Sequence, residues 1–327
     1  MFESPESSVG KFAQAGAAVL LFIAVVGIIL FIASRFSGRR GDRATALAFL
    51  LPTFVLVTVG LIYPALRTIY QSFLDAAGAK FIGFDNYQTI FSSEDQLTVL
   101  RNTVLWVVVT PLVATAIGLV YAVLVDRARA ESFAKALIFL PMAISFVGAS
   151  IIWKFVYEYR PNQQNIQQIG LVNQLLVWLG FEPVNLLLIP FWNNLLLIVV
   201  MIWIQAGFAM TILSAAIKAI PDDIMEAATL DGVGGLRMFF YITLPSIRPA
   251  VVVVLTTISI GVLKVFDIVR TMTGGQFGTS VVANEFYAQS FRLFNIGIGS
   301  SLAMILFVLV VPIVIYNVRQ MRKVDAR

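Results

Sequence analysis

The sequence predicts an all-α membrane protein, a polytopic bundle of seven transmembrane helices. Three observations support this fold class: 59% of the 327 residues are hydrophobic, only 13% are charged, and the mean hydropathy is +0.89. A soluble domain carries about a quarter charged residues, so this chain cannot cover itself with polar surface and needs lipid. Helices are expected because a segment within lipid must satisfy its own backbone hydrogen bonds.

Seven apolar runs are long enough to cross a bilayer, which takes about 20 helical residues for about 30 Å of hydrocarbon. They cover residues 12–34, 44–67, 102–125, 136–155, 191–217, 247–269 and 296–318. Pro52, Pro111, Pro141 and Pro312 lie within or at the ends of these runs, where kinks are tolerated. The first run follows an acidic N-terminus and is interpreted as a retained span, not a cleaved signal peptide.

The distribution of Lys and Arg predicts an N-terminus outside and a C-terminus in the cytoplasm. With this orientation the inner segments contain most of the 23 basic residues. These residues are Arg35, Arg39, Arg40, Arg43, Arg127, Arg129, Lys135, Lys218, Arg237, Arg248, Arg319, Arg322, Lys323 and Arg327. The net charge of +5 is therefore explained by membrane topology, and no nucleic-acid partner is expected.

Several kinds of chemistry are excluded by the residues that the chain lacks. The absence of Cys and His removes disulfides, thiol chemistry and most zinc or haem sites. No phosphate-binding G-x-x-x-x-G-K-[ST] loop is present, and no H-E-x-x-H or G-x-S-x-G motif supports an intramembrane enzyme. The sequence therefore predicts no catalytic residue, no metal site and no cofactor in this chain.

A polar loop between the fifth and sixth runs carries the most informative motif. Residues 226–245 read EAATLDGVGGLRMFFYITLP, after KAIPDDIM at 218–225. Asp223 and Glu226 have the spacing of a helix cap and its partner in the first turn, which predicts a short helix over 224–231. Gly232 supplies the positive-φ stop, and a second short helix is predicted over 236–241.

This loop resembles the coupling loop of the membrane subunits of ATP-binding-cassette importers, and the preceding KAIPDDIM resembles maltose-type sugar permeases. The resemblance extends to LLPTFVLVTVGLIYPALRTIYQSF in the second run and to ITLPSIRPA and VFDIVRTMTGG after the loop. LKVFDIV and FGTSVVANEFY look most like the α-glucoside-type members. The resemblance implies a six-span type I importer core over 44–327, preceded by an extra span and a basic loop over 1–43.

The same resemblance implies a set of partners in the inner membrane of a bacterium or archaeon. They are a second homologous permease subunit, two ATPase subunits that hold ATP and Mg²⁺, an external solute-binding protein, membrane lipid and a sugar. The coupling loop, 218–248, would contact the ATPase, so this chain itself is expected not to be an enzyme. The coupling residues implied are Asp223, Glu226, Ala227, Ala228, Asp231 and Gly232. The alternative is an ordinary inter-helix loop with a capped turn.

Polar residues inside the fifth and sixth runs are candidates for substrate contacts. They are Asn193, Asn194, Trp203, Gln205, Thr211, Thr256, Thr257, Ser259, Lys264 and Asp267. The resemblance places sugar contacts near Met201, Ile204 and Gln205, and over 259–265. For Trp203 the alternative is packing or an interfacial anchor. Lys264 and Asp267 are interpreted as an outer-gate pair, a sugar contact, or an i,i+3 ion pair near a helix end.

The function implied is import of a sugar, an α-glucoside or oligosaccharide. Alternatives are a permease for another small solute, such as a polyol or glycerol derivative, and a membrane scaffold that transports nothing. The Gln/Asn-rich outer segment 158–190 is expected to contain a short helix, either as a docking surface for the binding protein or as a solvated loop.

Overall fold

The computed structural model describes residues 38–126, 129–161 and 169–325, and before them residues 10, 14, 16–17, 19–20, 23–28 and 31. Throughout these residues the regular structure is helical, and one isolated β-bridge pairs Leu74 with Phe81. The chain divides into two compact units, residues 1–67 and 68–327. The predicted all-α membrane fold is confirmed for the described residues.

We number the helices in chain order. They are α1 Gly38–Val57, α2 Tyr63–Gln71, α3 Asp85–Ser92, α4 Glu94–Val125, α5 Glu131–Phe139, α6 Phe146–Val156, α7 Leu171–Trp178, α8 Trp192–Lys218, α9 Asp222–Leu230, α10 Gly235–Met238, α11 Leu244–Ser246, α12 Arg248–Leu263, α13 Asp267–Met272, α14 Val282–Tyr287 and α15 Ile296–Asp325. Short 3-10 turns cover Leu140–Ala143 and Leu186–Leu188, and π-helical turns cover Thr58–Ile62, Phe239–Thr243 and Ala288–Arg292.

Within the described residues, four helices are long and apolar enough to cross a membrane alone. They are Phe49–Gln71, Glu94–Val125, Trp192–Lys218 and Ile296–Gln320. Two bent helix pairs, Glu131–Ala143 with Phe146–Val156 and Gly235–Ser246 with Arg248–Leu263, raise the number to as many as six. The predicted first span, 12–34, is described only in part, so the total of seven stays a prediction.

The fourth predicted span, 136–155, is wrong as a single helix. Two helices replace it, Glu131–Ala143 and Phe146–Val156, and their axes meet at 101°. Pro141 lies in the 3-10 turn that ends the first helix. Ser145 then adopts an extended backbone, and its Oγ accepts a hydrogen bond from the Gly148 N–H at 3.1 Å, which caps α6. The predicted kink is therefore a complete break.

The sixth predicted span, 247–269, is also interrupted. The chain bends by 68° at Ile247, α12 ends at Leu263, and α13 begins only at Asp267. At the end of α12 the Lys264 N–H donates to the Gly261 carbonyl at 3.2 Å and the Val265 N–H to the Val262 carbonyl at 2.9 Å. These i→i+3 bonds tighten the last turn and end the helix.

The core of the second unit lies where α4, α8 and α12 pack together. Its largest fully buried side chains include Trp106, Leu197, Met201, Met210 and Ile258. A Cβ built on Gly118 of α4 would lie 2.4 Å from the Ala209 Cβ of α8, which is closer than two non-bonded carbon atoms can approach. Small residues therefore allow α4 and α8 to pack nearly backbone to backbone. Of the four long helices, α8 is the most buried.

Candidate functional site

Helix α9, in the predicted coupling loop, starts differently from the sequence-based prediction. The expected cap by Asp223, with Glu226 as its partner, is wrong: the N-cap is Pro221 and no side chain caps the helix. Asp222 and Asp223 both lie in the first turn, where their charges complement the positive end of the helix dipole. Because Pro221 lacks an N–H and fixes its own φ, it starts the helix without a capping side chain.

The end of α9 agrees with the prediction for Gly232. Gly232 has φ +76°, its N–H donates to the Thr229 carbonyl at 3.0 Å, and the Val233 N–H donates to the Ala228 carbonyl at 3.0 Å. This pair of bonds is the Schellman motif, which satisfies carbonyls that the helix end would leave free. A positive φ favours glycine, so Gly232 determines where α9 stops.

Beyond this turn the predicted second helix, 236–241, is longer than expected. A helical run extends from Gly235 to Ser246, with a π-helical turn over Phe239–Thr243 in its middle. This run forms the first half of the second bent helix pair, so the coupling loop leads directly into a candidate span.

The coupling loop presents an exposed and partly apolar surface. Glu226, Ala227, Asp231 and Gly232 are exposed, as is Asp223, whereas Ala228 is buried. Leu230 is 88% exposed and Leu236 is 79% exposed. A groove of about 390 Å³ runs along α9. It is lined by Asp222, Met225, Glu226, Thr229 and Leu230. Apolar side chains this exposed on a polar loop are typical of a surface that a partner protein covers.

A second candidate site lies at the break between α5 and α6. A cavity of about 440 Å³ opens there. It is lined by Met142, Ile144, Ser145, Phe146, Val147, Ile204, Gln205 and Asp267. The break itself supplies five of these residues, and α8 and α13 supply the rest. The cavity thereby brings together Gln205 and Asp267, two residues that the sequence analysis named as candidate substrate contacts and that lie far apart in the sequence.

The cavity combines a few polar groups with an apolar wall. The Gln205 side chain is half-buried and makes no hydrogen bond within the described residues, so its amide is available to a ligand. Asp267 adds carboxylate acceptors and Ser145 a hydroxyl. Small-molecule sites are commonly clefts of about 300–1,000 Å³ with mostly apolar walls and a few polar groups that orient the ligand. This arrangement suits a neutral polyhydroxy compound.

The other residues predicted near the substrate lie elsewhere. Met201 is buried in the core, and Trp203 packs edge-on against Trp153 with 5.7 Å between ring centroids. Ser259 donates its hydroxyl to the Leu255 carbonyl of its own helix at 2.8 Å. Lys264 is exposed and, unlike Asp267, does not line the cavity. As sugar contacts all four stay predictions.

The suggested i,i+3 ion pair between Lys264 and Asp267 is wrong. No contact within 4.0 Å joins their charged groups, and α12 ends before Lys264, so the two residues do not share a helix. The physical reason is that the helix is interrupted at residues 264–266. A continuous helix would place the two side chains next to each other, and the interruption separates them.

Asn193 and Asn194 have structural roles. The Asn193 side chain donates to the Phe277 carbonyl at 2.8 Å, and the Asn194 side chain donates to the Gly278 carbonyl at 3.1 Å. Asn102 of α4 donates to the same Gly278 carbonyl at 2.7 Å. These buried amides therefore fasten the loop 273–281 to the start of α8 and to α4.

Sequence reasoning missed the residues of the helix break. Ile144, Ser145 and Phe146 were interpreted as part of one continuous span. The available signal was Pro141 followed by Ser145, a residue that favours helix N-caps.

Sequence reasoning also missed the contacts of Asp126, Glu131 and Lys135 with Ser214 and Lys218 near the coupling loop. The residues in contact are 79 to 88 positions apart in the sequence.

Comparison with known proteins identifies what the chain resembles. Residues 99–321 match the sequence model of the family described as "Binding-protein-dependent transport system inner membrane component". The matched segment contains both the coupling loop and the cavity at the helix break.

Two relatives are similar over most of the chain. The osmoprotective compounds uptake permease protein GgtC of Synechocystis sp. is 47% identical over 84% of this chain and 98% of its own length. The alpha-glucoside transport system permease protein AglF of Rhizobium meliloti is 45% identical over 83% of this chain and 80% of its own length.

A solved structure shares the fold. It is a chain of a bacterial ABC transporter involved in the import of the acidic polysaccharide alginate, with a TM-score of 0.72 and 24% identity over 85% of this chain and 95% of that chain. A likeness at this level of identity shows the fold alone. The long helices, the broken pairs and the loop between them thus form an ABC importer permease fold.

Proposed function

Since the chain belongs to the family of inner-membrane components of binding-protein-dependent transport systems, we propose that it forms one half of the translocation pathway of an ATP-driven sugar importer. The observation that supports this best is the content of the matched segment, 99–321. This segment contains the exposed helix α9 of the coupling loop. It also contains the break between α5 and α6, where a cavity has polar groups suited to a sugar.

The proposed role of the coupling loop, 218–248, is to transmit movement from an ATPase subunit. Its proposed contact residues are Asp223, Glu226, Ala227, Ala228, Asp231 and Gly232. The support is geometric: α9 has a start and an end set by Pro221 and by the Gly232 motif, so the loop is a defined shape that a partner can bind. ATP and Mg²⁺ are assigned to the partner, and this chain hydrolyses nothing itself.

The complete importer would contain a second permease chain, two ATPase subunits and an external binding protein. The proposed orientation puts the coupling loop and the C-terminus in the cytoplasm and the N-terminus outside, because the basic residues concentrate on that side. The extra span and basic loop, 1–43, are proposed as a separate segment from the permease core, 44–327.

The proposed substrate is an α-glucoside or a related oligosaccharide. It is supported by the 45% identity to an alpha-glucoside transport system permease and by the cavity, where Gln205 and Asp267 offer groups for sugar hydroxyls. A sugar ring also has an apolar face, and Phe146 and Ile204 provide apolar walls for it. Gln205 is the residue that we expect to contact the sugar most directly.

The test is to purify the complex from cells that express this chain with its genomic neighbours, and to reconstitute it in lipid vesicles. Labelled α-glucosides, β-glucosides and polyols are then offered with the binding protein and ATP. We expect an ATPase to co-purify and α-glucosides to accumulate in an ATP-dependent way. Uptake of a polyol with no uptake of any glucoside would contradict the substrate, and the absence of an ATPase from an intact complex would contradict the transporter assignment.

A further inference from the structure

A charged cluster joins three helix ends beside the coupling loop. It consists of Asp126, which follows α4, Glu131 and Lys135 of α5, and Ser214 and Lys218 of α8. The Lys135 Nζ lies 2.5 Å from the Asp126 Oδ1 and 2.7 Å from the Glu131 Oε1. Ser214 donates its hydroxyl to the Asp126 Oδ1 at 2.7 Å, and Lys218 pairs with Glu131.

Lys135 is the centre of this cluster, because it contacts both carboxylates and the Ser214 hydroxyl. The side chains of Lys135 and Asp126 are only 24% and 11% exposed, whereas that of Lys218 is 50% exposed. An exposed pair contributes little to stability, but the loss of one partner of a mostly buried pair leaves the other charge uncompensated. The contact between α4 and α5 therefore depends on Lys135.

The cluster lies at the base of the coupling loop. Lys218 is in the last turn of α8, directly before the segment that leads to α9. Asp126 lines the same cavity as Met225 of α9 and Leu236 and Met238 of the following run. The cluster contains both charged residues of α5, Glu131 and Lys135, so the charged contacts of this helix lie beside the coupling loop.

Helix α5 connects the cluster to the helix break. It begins at Glu131 within the cluster and, with its 3-10 turn, ends at Ala143 beside the cavity that contains Gln205. At about 1.5 Å per residue its length is about 20 Å. Midway, a Cβ on Gly207 of α8 would lie 2.5 Å from the Ile138 carbonyl oxygen, so α5 rests directly on α8. Helix α5 is short, is held at its N-terminal end by the cluster and is supported near its middle by α8. A movement of its N-terminal end therefore also moves its C-terminal end, next to the break.

We propose that Lys135 is a positioning residue for coupling: it fastens α5 to the base of the coupling loop, so that movement of the loop shifts the break that lines the candidate sugar site. This inference rests on the proposed function. It assigns to the charged cluster a role in transport that is separate from its role in stability.

The first experiment separates these two roles. Lys135→Gln and the double variant Asp126→Asn/Lys135→Gln are reconstituted with the partner subunits, and uptake and ATP hydrolysis stimulated by the sugar-loaded binding protein are measured together. The double variant removes both buried charges and should restore any stability that the single variant loses. We expect both variants to hydrolyse ATP but to consume several-fold more ATP per sugar transported, and Lys135→Arg to restore the wild-type ratio.

The matched control is Lys154→Gln, because Lys154 is an exposed lysine of α6, outside the cluster. It should leave the ratio of ATP to sugar unchanged. A wild-type ratio in the double variant, or an equal rise in Lys154→Gln, would overturn the proposal. Loss of assembly in Lys135→Gln with full recovery of assembly and of the ratio in the double variant would reduce the cluster to a purely structural role.

A second measurement does not depend on the identity of the sugar. Because the chain contains no cysteine, spin labels at Phe133→Cys in α5 and Thr229→Cys in α9 report one distance within this chain. Both positions are exposed. We expect ATP binding to the assembled complex to leave this distance unchanged with Lys135 and to change it in Lys135→Gln. An equal change in both would overturn the proposal, even if the wild-type complex transported none of the sugars and the proposed substrate were wrong.

Discussion

Gly207 of α8 lies directly against the backbone of Ile138 in α5. A Cβ at Gly207 would lie 2.5 Å from the Ile138 carbonyl oxygen and 3.0 Å from the Phe139 Cα. Backbone atoms cannot turn aside as a side-chain end can, so a larger residue there must push α5 away from α8. This contact determines how closely the first half of the broken helix pair approaches the centre of the bundle.

We therefore expect Gly207→Val to reduce the amount of assembled complex sharply, since overpacking a tight site costs about 1–3 kcal/mol or more. Gly261→Ala is the control, because a Cβ there meets only the Gln205 Nε2 at 3.9 Å. The measurement is the yield and melting temperature of the detergent-purified complex. Equal stability of the two variants would show that α5 does not rest on α8 in the assembled importer.

The second prediction concerns the end of the coupling helix. Gly232→Val should abolish or strongly reduce uptake and stimulated ATP hydrolysis with the spans still inserted, because a β-branched residue at φ +76° costs about 1–3 kcal/mol and moves the helix end. Gly234 has φ −76° and open space around it, so Gly234→Val should be much milder. Identical activities for the two variants would remove the support for Gly232 as the fixed stop of the coupling helix.

Gln205 should determine affinity for the sugar. The loss of one hydrogen bond costs about 1 kcal/mol, or several-fold in binding, so Gln205→Ala should raise the half-saturating sugar concentration several-fold or alter sugar preference. Lys154→Gln should leave it unchanged, because Lys154 is exposed and does not line the cavity. The measurement is uptake as a function of sugar concentration, with complex yield as the control. Unchanged kinetics of Gln205→Ala for every accepted sugar would argue against this cavity as the site.

Asn102 should hold the loop 273–281 in place. Its side-chain amide donates to the Gly278 carbonyl at 2.7 Å and to the Ser280 carbonyl at 2.9 Å. Asn102→Asp replaces this donor by an acceptor, which leaves buried carbonyls without partners at about 1–3 kcal/mol each. We expect a clear fall in melting temperature, whereas Asn185→Asp, at a partly exposed turn, should have little effect. A melting temperature unchanged by Asn102→Asp would show that the loop is held by other contacts.

The first span should be dispensable for coupling. Removal of residues 1–34 leaves the basic loop 35–43 and the proposed core intact, so the truncated chain should insert and keep ATP-dependent uptake, although the yield of the complex falls. The measurement is uptake per assembled complex in vesicles, compared with the full chain. Normal assembly without transport would mean that the extra span contributes to the mechanism.

The sequence by itself determined the features that depend on local composition. Apolar runs of about 20 residues have one low-energy solution in lipid, which is a helix. The predicted spans that correspond to α4 and α8 therefore end within a few residues of the observed C-terminal ends, Val125 and Lys218. The Gly232 stop was also readable, because a residue without a Cβ after a helical pattern marks a positive φ.

Tertiary structure decided the features that depend on distant parts of the chain. The break at Ser145 and the end of α12 at Leu263 both occur inside runs whose average hydropathy is that of one continuous span, so hydropathy alone could not locate them. Packing of these pieces around α8 brings Gln205 and Asp267 into one cavity and places Ser214 and Lys218 of α8 against Lys135 and Glu131 of α5. Local propensity specifies whether a segment is helical. Which side chains meet is decided only when the helices pack, because a contact between two residues depends on the position of both.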